Sequence, residues 1–394
     1  MIVIKHLAPT AAQYAKLIFM EQGMKLLLTV NAGSSSVRLA AFAADFDDDA
    51  APLASAHHET PDRTDGARLL RDFVGRLPPG AHWTVAHRIV HGGPHLSAPC
   101  RIDDDVECEI ERLASLAPLH NPAALAWIGH CRAVLGESAC QIAVFDTGFF
   151  ADLPAAARTY ALPHALVDAH HLRRYGFHGL AHSALWHSWC GIHGTKTGRV
   201  VTMQLGSGCS MAAIADGRPL DTSMGFSPLE GLVMGTRAGD VDAGVLTYLL
   251  GVVGMPVDEL EAMLSRSSGL LGISGIAADM RALLASEAPS ARLAVDVFCH
   301  RARKYLGAYL AVLGSADAVL IGGGIGENAP AIRARLLSDF EWAGLVLDEA
   351  ANEAASGPVS RISSTSSTIA AHVIAVDEAH ALARAALLFD AVAA

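Results

Sequence analysis

LLLTVNAGSSSVRLAAFA, residues 26–43, is an apolar run, a Gly/Ser turn of about five residues and a second apolar run. Short β-favouring runs bounded by turn residues read as a β-hairpin rather than a helix. A second stretch, VVTMQLGSGCSMAAIAD (200–216), has the same construction. Aligned on their turns, the two share Thr29/Thr202, Gly33/Gly206, Ser34/Ser207 and Ala40/Ala213. Each hairpin opens a comparable stretch of alternating strands and helices. A duplicated α/β domain is the economical reading.

Outward from the first hairpin, the pattern predicts a helix near 66–77, a strand at 84–90, helices near 106–116 and 121–134, and a strand at 141–145. The second half predicts a long helix at about 291–313 and a strand at 316–328, with a helix opening after Pro330. A last strand at 370–376 leads into a closing helix from about Glu378 to Val392, and the Ser-rich segment 353–368 reads as an exposed loop.

The 394-residue length predicts two domains, and a 52% hydrophobic composition supplies large cores. A net charge of −11 argues against nucleic-acid and membrane-surface partners, so any anion site depends on local arginines. No apolar run reaches the ~18 residues a membrane span needs, which predicts a soluble chain. Seven cysteines with no C-x-x-C pair fit neither a disulfide framework nor a zinc site and predict reduced thiols in the cytoplasm. Residues 1–23 lack a signal peptide's compact apolar core, while Met24-Lys25 leads straight into the first strand. The expectation is an N-terminal extension, from an upstream start or a loosely held tail.

Three Gly-rich turns follow strands: Asn31–Ser36, Gln204–Gly208 and Gly322–Asn328. Their N–H groups and hydroxyls can meet phosphate oxygens at close backbone approach. None is a G-x-x-x-x-G-K-[ST] loop, so the P-loop fold is excluded. Arg88 ends an apolar strand, and Arg237 lies among small residues. An arginine in such a place either joins an ordinary ion pair or forks onto carboxylate or phosphoryl oxygens. Asp146, just past a buried strand, either caps the next turn or faces a ligand. Of 19 histidines, His178 and His120 are set apart by glycine or proline neighbours that fix the backbone.

Together NAGSSSVR (31–38), AHRIVHGG (86–93), APLHNPAAL (117–125), FDTGF (145–149), RRYGFHGLAH (173–182), DGRPLDTSMGFSPLEGLVMGTRAGDVD (216–242), SGLLGISGIAADMR (268–281), GGGIGENAP (322–330) and VDEAHALA (376–383) resemble the acetate kinase family, in family order across the chain after Met24. The resemblance implies a duplicated ribonuclease-H-like two-domain fold with a central cleft, as in actin, sugar kinases and chaperone ATPases. It places residues 24–148 plus 378–394 in a domain for carboxylate and Mg²⁺, and 149–377 in a domain for nucleotide binding and dimerisation. The implied activity is reversible, in-line phosphoryl transfer from ATP to acetate, giving acetyl phosphate and ADP. Propionate or butyrate is the alternative acceptor, and a non-catalytic nucleotide-binding relative the reading from another class. A homodimer is implied.

By resemblance Asn31 and Glu378 contact Mg²⁺ (or Mn²⁺). Arg38, Gln204, Leu205, Gly206, Ser207, Gly208, Asp279, Met280, Arg281, Gly324, Ile325, Gly326, Glu327 and Asn328 hold the nucleotide. Arg88 grips the carboxylate, with Val90, Leu119, Phe177 and Pro228 lining the pocket for its apolar end. Asp146 is the catalytic carboxylate, and His178 and Arg237 stabilise the phosphoryl oxygens with His120 supporting. The chain departs from the family at Arg38, usually lysine, Ser207, usually asparagine, Phe150, usually histidine, and Ala379, usually an acid. These changes predict altered nucleotide affinity or donor choice, with activity retained.

Overall fold

Apolar runs make the central strands, and polar, weakly patterned segments make the edges. The computed structural model describes residues 24–33, 36–46, 50–59, 65–118 and 120–393. The expected extension at 1–23 and the pocket residue Leu119 lie outside the described residues.

The chain divides into two units. The first holds the described residues up to Val90, Ala98–Val144 and those from Leu382 onward; the second holds His91–Ser97 and Phe145–Ala381. His91–Ser97 joins the second because Gly92 N–H donates to Thr147 Oγ1 at 3.2 Å.

One sheet is built from β1 (Lys25–Ala32), β2 (Ser36–Ala43), β3 (Ala54–Glu59), β4 (His82–Ile89), β5 (Cys100–Arg101) and β6 (Cys140–Phe145), in the order β3-β2-β1-β4-β6-β5. The other is built from β7 (Arg199–Leu205), β8 (Cys209–Ala215), β9 (Arg218–Thr222), β10 (Ala318–Gly322), β11 (Val359–Arg361) and β12 (Ala370–Ile374), in the order β9-β8-β7-β10-β12-β11. The two orders are the same with every index raised by six. Both hairpins are antiparallel, and both central pairs, β1–β4 and β7–β10, are parallel. The duplication expected from the hairpins is therefore a duplication of topology.

The register refines the alignment of the halves. Thr29 pairs with Ala40, and Thr202 pairs with Ala212 rather than Ala213. The reason is the turn: residues 33–36 separate the last pair of the first hairpin, Ala32↔Val37, but only 206–208 separate Leu205↔Cys209. Each threonine hydroxyl donates to its partner's carbonyl, at 3.2 Å for Thr29 and 3.4 Å for Thr202.

In the first unit the helices Gly66–Val74 and Asn121–Leu135 cover one sheet face, burying Leu28, Val30, Leu39, Leu70, Phe73 and Trp127 in one core. In the second, the helix Gly179–His193 lays Leu185, Trp186 and Trp189 on Val200, Ala212, Ile214 and Leu320. The 25-residue helix Pro289–Leu313 packs against β7, β8 and β9. Burial holds the thiols of Cys131 and Cys209 protonated, raised to about 12, and all seven cysteines are free.

Two expectations are corrected. The Ser-rich segment is not loop throughout: Val359–Arg361 pairs antiparallel with β12, and Ile362 and Ser363 are buried beside it. The expected strand at 316–328 is confined to Ala318–Gly322, and Gly323–Asn328 is a helical turn. Its own side chains close it, since Glu327 Oε1 accepts from Gly323 N–H at 2.9 Å and Asn328 Nδ2 donates to Gly324 O at 2.9 Å.

Four buried imidazoles set an acid limit. Burial lowers His87 to about 4 and His182 to about 3; burial with nearby His193 and Arg361 lowers His372 to about 4, and burial with nearby Arg173 lowers His91 to about 4. The unfolded chain takes up these protons near pH 6.5, whereas the folded chain refuses them until far lower pH, so stability falls as pH drops below 6.5. At pH 5 the loss is about 2 kcal/mol per site, which predicts a Tm lower than at pH 7 by on the order of 10 °C. Thermal unfolding followed by circular dichroism checks this; equal Tm at the two pH values would refute neutral burial.

Candidate active site

The Gly-rich segments sit where the sheets expose the carboxyl ends of parallel neighbours, the place where open α/β sheets hold ligands. In the second unit β7 and β10 run side by side, with Gln204 in register with Gly322. The turn at Gly206–Gly208 and the helical turn from Gly323 therefore start at adjacent strand ends. A third segment joins them: Gly235 N–H donates to Ser207 O at 3.0 Å, which ties the Arg237 loop to the turn.

Gly208 is the meeting point. A Cβ placed there would lie 3.0 Å from Arg237 Nη2 and 3.2 Å from His178 Nε2. The guanidinium and the imidazole thus converge on bare backbone, and any side chain would displace them. Arg237 Nη1 donates to Pro228 O at 2.9 Å. His178 has φ 57°, a left-handed conformation, as the residue before the helix Gly179–His193. Gly179 N–H donates to Asp146 O at 3.0 Å, and a Cβ on Gly179 would lie 2.1 Å from that oxygen. The helix start is pressed onto the exit of β6, so Asp146, which is 1% exposed, and His178 belong to one neighbourhood.

His178 Nδ1 is 2.9 Å from Ser210 Oγ, which is 2.8 Å from His182 Nε2, and His182 Nδ1 is 2.7 Å from Thr202 Oγ1. Two further clamps hold the loop between β9 and the Arg237 region. Glu230 accepts from Tyr160 Oη and from Arg174 Nη2, each at 2.5 Å, and Tyr160 Oη accepts from Phe226 N–H at 2.8 Å. Asp240 accepts from Gly231 N–H at 2.8 Å and pairs with Arg301 at 3.2 Å. Burial and the Glu230 carboxylate both raise the Tyr160 phenol, keeping it a donor.

The other nucleotide candidates in this unit divide by exposure. Ser207, at the turn tip, and Gly324 are exposed, whereas Leu205 and Gly326 are buried and Ile325 is partly covered. Asp279 caps the helix Met280–Leu284 by accepting from Ala282 N–H at 3.1 Å, and it pairs with Arg281 at 3.2 Å. Met280 is 3% exposed, so its side chain serves the core. Phe177 is buried in edge contact with the His91 ring, 5.4 Å between centroids.

In the first unit the corresponding strand ends belong to β1 and β4. Val30 is in register with His87, so the next residues, Asn31 and Arg88, stand side by side, and Arg88 Nη1 donates to Asn31 Oδ1 at 2.9 Å. Arg38, across the hairpin from Asn31, is exposed. Val90 is buried, and His120 opens the helix Asn121–Leu135, its carbonyl accepting from Ala124 N–H at 3.0 Å. Glu378, which belongs to the second unit, begins the last helix as its first residue; Asp377 caps it by accepting from His380 N–H at 3.0 Å.

The donor set suits a nucleotide with Mg²⁺. Gln204 Oε1 is a buried acceptor with no donor among the described residues, beside the bare backbone at Gly206 and Gly208. No group of three or more His, Cys, Asp or Glu capable of holding a metal occurs among the described residues. Asn31, in the first unit, and Glu378, in the second, each carry a hard oxygen of the type Mg²⁺ prefers. Arg174, His182, Ser210, Tyr160, Glu230 and Asp240 are supporting residues beyond the expected set. Of these, His182 carried a signal in the sequence, its spacing of one helical turn from His178.

Comparison with known proteins adds the following. A model of the acetokinase family matches residues 81–384. Acetate kinase of Solibacter usitatus (strain Ellin6076) is 45% identical over 306 residues, 76% of this chain and 74% of that protein. The crystal structure of Porphyromonas gingivalis acetate kinase superposes with a TM-score of 0.83 at 32% identity, covering 92% of this chain and 99% of that one. A propionate kinase from Francisella tularensis subsp. tularensis SCHU S4 gives a TM-score of 0.83 at 33% identity, with the same coverage.

The Glu230 clamp makes a stability prediction. Glu230→Ala leaves Arg174, whose side chain is 16% exposed, without its carboxylate and Tyr160 without an acceptor. Because the pair is only partly buried, the expected cost is on the order of 2 kcal/mol rather than the larger value for a fully buried pair. Urea denaturation measures it; a change below the precision of the midpoint would show that the clamp holds nothing.

Proposed function

The chain belongs to the acetokinase family, and from that premise we propose that it transfers a phosphoryl group reversibly between ATP and acetate, forming acetyl phosphate and ADP. The observation that carries the reading is the convergence of Arg237 and His178 on the bare backbone of Gly208, among Gly-rich strand ends.

A carboxylate is already a nucleophile toward phosphorus, so the chemistry needs no strong base. The difficulty is electrostatic: two anions must meet, and the loose, in-line transition state spreads negative charge over three equatorial oxygens. Arg237 and His178 are assigned to those oxygens, each donating a hydrogen bond where charge accumulates. Asp146 is assigned as the catalytic carboxylate beside them, with His120 in support. Arg88 is assigned to the substrate carboxylate, which its fork can hold in two parallel hydrogen bonds. Val90, Leu119, Phe177 and Pro228 are assigned to the apolar end of that substrate. Arg38, the 204–208 turn, Asp279–Arg281 and the 324–328 turn are assigned to the nucleotide. Asn31 and Glu378 are assigned as the oxygen donors that would hold Mg²⁺, which would supply positive charge against the phosphates. The first domain (24–148 plus 378–394) takes the carboxylate and metal, and the second (149–377) the nucleotide.

Propionate is the second reading, favoured by the structural likeness to a propionate kinase. One methylene is worth only ~0.8 kcal/mol of apolar burial, so the choice is a matter of degree. Trapping the product with hydroxylamine tests class and substrate together. Acetyl hydroxamate should form with ATP and Mg²⁺, faster than the propionyl or butyryl product at equal concentration. Arg237→Ala should lower kcat by about 10³-fold or more. Hydroxamate formation unchanged in that variant would remove the central assignment, and a tenfold preference for propionate would replace acetate.

A homodimer through the second unit is supported by exposed apolar side chains along one segment: Val245, Tyr248, Val252, Val253 and Val257 are each between 47% and 71% exposed. Such a patch needs a cover in a monomer of this size. Placing the enzyme in the cytoplasm agrees with its free thiols. Light scattering should give twice the chain mass, with Val253→Lys shifting the population toward monomer; a wild-type monomer at micromolar concentration would overturn the dimer.

A further inference from the structure

Four polar contacts form a line from inside the second sheet to the imidazole of His178. Val200, Thr202 and Gln204 lie on one face of β7, opposite Ile214, Ala212 and Ser210 of β8. The helix Gly179–His193 covers that face and lowers His182 onto it, 0% exposed. A histidine there could serve as packing alone. Its hydrogen bonds point to more.

Thr202 Oγ1 has one proton and two neighbours, Ala212 O at 3.4 Å and His182 Nδ1 at 2.7 Å. The carbonyl can only accept, so the hydroxyl donates to it and must accept from His182 Nδ1–H. Burial keeps His182 neutral, lowered to about 3, so its Nε2 carries a lone pair and accepts from Ser210 Oγ–H at 2.8 Å. With its proton so used, Ser210 Oγ accepts from His178 Nδ1–H at 2.9 Å. Only this direction satisfies all four contacts; reversing it leaves the bond to Ala212 O unmade.

We propose that His182 is a positioning residue for phosphoryl transfer, acting through Ser210 to keep a proton on His178 Nδ1 and to aim Nε2 at the transferring group. The inference rests on the proposed phosphoryl transfer for its catalytic meaning, though not for the relay itself. Nε2 is the ring atom beside Gly208 and Arg237. With Nδ1 always protonated, neutral His178 offers a lone pair on Nε2, and the ring donates to a phosphoryl oxygen only as imidazolium. The relay thereby couples a hydrogen bond at the phosphorus to a positive charge, a charge-assisted donor where negative charge gathers. Arg237 brings its guanidinium to the same place beside Gly208, and Asp146, whose carbonyl accepts from Gly179 N–H, brings a carboxylate into the same neighbourhood. His178 orientation is the quantity the relay controls.

The test uses ¹⁵N-histidine-labelled full-length protein without ligands, with the His178 signals identified by their loss in His178→Gln. Above its titration, wild-type His178 should be the Nδ1–H tautomer, and Ser210→Ala should move it toward Nε2–H. In turnover, Ser210→Ala and His182→Asn should each lower kcat by roughly tenfold to a hundredfold, the range for outer-shell partners of an active-site histidine, with both KM values within about twofold. The double variant should lose no more than the worse single variant, because both break one chain. A wild-type Nε2–H tautomer, an unchanged tautomer in Ser210→Ala, or losses that multiply would each overturn the relay. Should His182→Asn fail to fold, Thr202→Val interrupts the line at its far end and carries the same expectations. If the wild type turns over no carboxylate, the functional reading fails while the tautomer measurement still decides the relay.

Discussion

One backbone hydrogen bond governs the geometry of the second unit's site: Gly179 N–H to Asp146 O, at 3.0 Å. It joins the exit of β6 to the first turn of the helix that covers β7. From it follow the absence of a side chain at 179, where a Cβ would lie 2.1 Å from the carbonyl, and the left-handed backbone at His178, which turns the chain into the helix. The helix direction then fixes His182 over Thr202 and Ser210. A left-handed non-glycine residue is a strained choice that persists where the surroundings over-determine it. Here the anchors are the backbone bond of the next residue, Gly179, and the side-chain bond of His178 itself to Ser210.

The opposite wall is held by a different device. The loop carrying Pro228 and Arg237 has no regular structure of its own, and a free loop would spread its guanidinium over many positions. Glu230, fastened by Tyr160 and Arg174, and Asp240, fastened by Arg301 and Gly231 N–H, pin it on both sides of Arg237. These carboxylates therefore act in structure rather than chemistry. In a chain of net charge −11, spending acids on loop clamps also keeps them occupied with arginines away from an anionic substrate.

The hairpins, the central strands and the long helix were legible because apolar runs of strand and helix length carry their own period. The edges were not. Ala54–Glu59 reads ASAHHE and Val359–Arg361 reads VSR, both without the apolar run that marks a strand, and each is defined by its neighbour's hydrogen bonds. The one-residue difference between the turns was equally hidden, because a sequence alignment matches residue types whereas register counts hydrogen bonds. At the site, His178 and Arg237 stood out by their glycine and small-residue settings. Tyr160 did not, since its tie to Glu230 spans 70 residues and leaves no local pattern.

Duplication gave both units the same strand order, and the strand ends then took different work. At β7 and β10 the residues are Gln204, a turn of glycines and Gly322, all backbone and one amide acceptor, a surface that suits phosphates by close approach. At β1 and β4 they are Asn31 and Arg88, bonded to each other at 2.9 Å, a surface of side chains. The first turn has one residue more than the second between its last paired residues. The same scaffold thus offers N–H groups in one copy and a guanidinium in the other. On the proposed reading, a nucleotide's phosphates and a small carboxylate call for two such unlike surfaces, and divergence at equivalent strand ends yields unlike surfaces without altering either core.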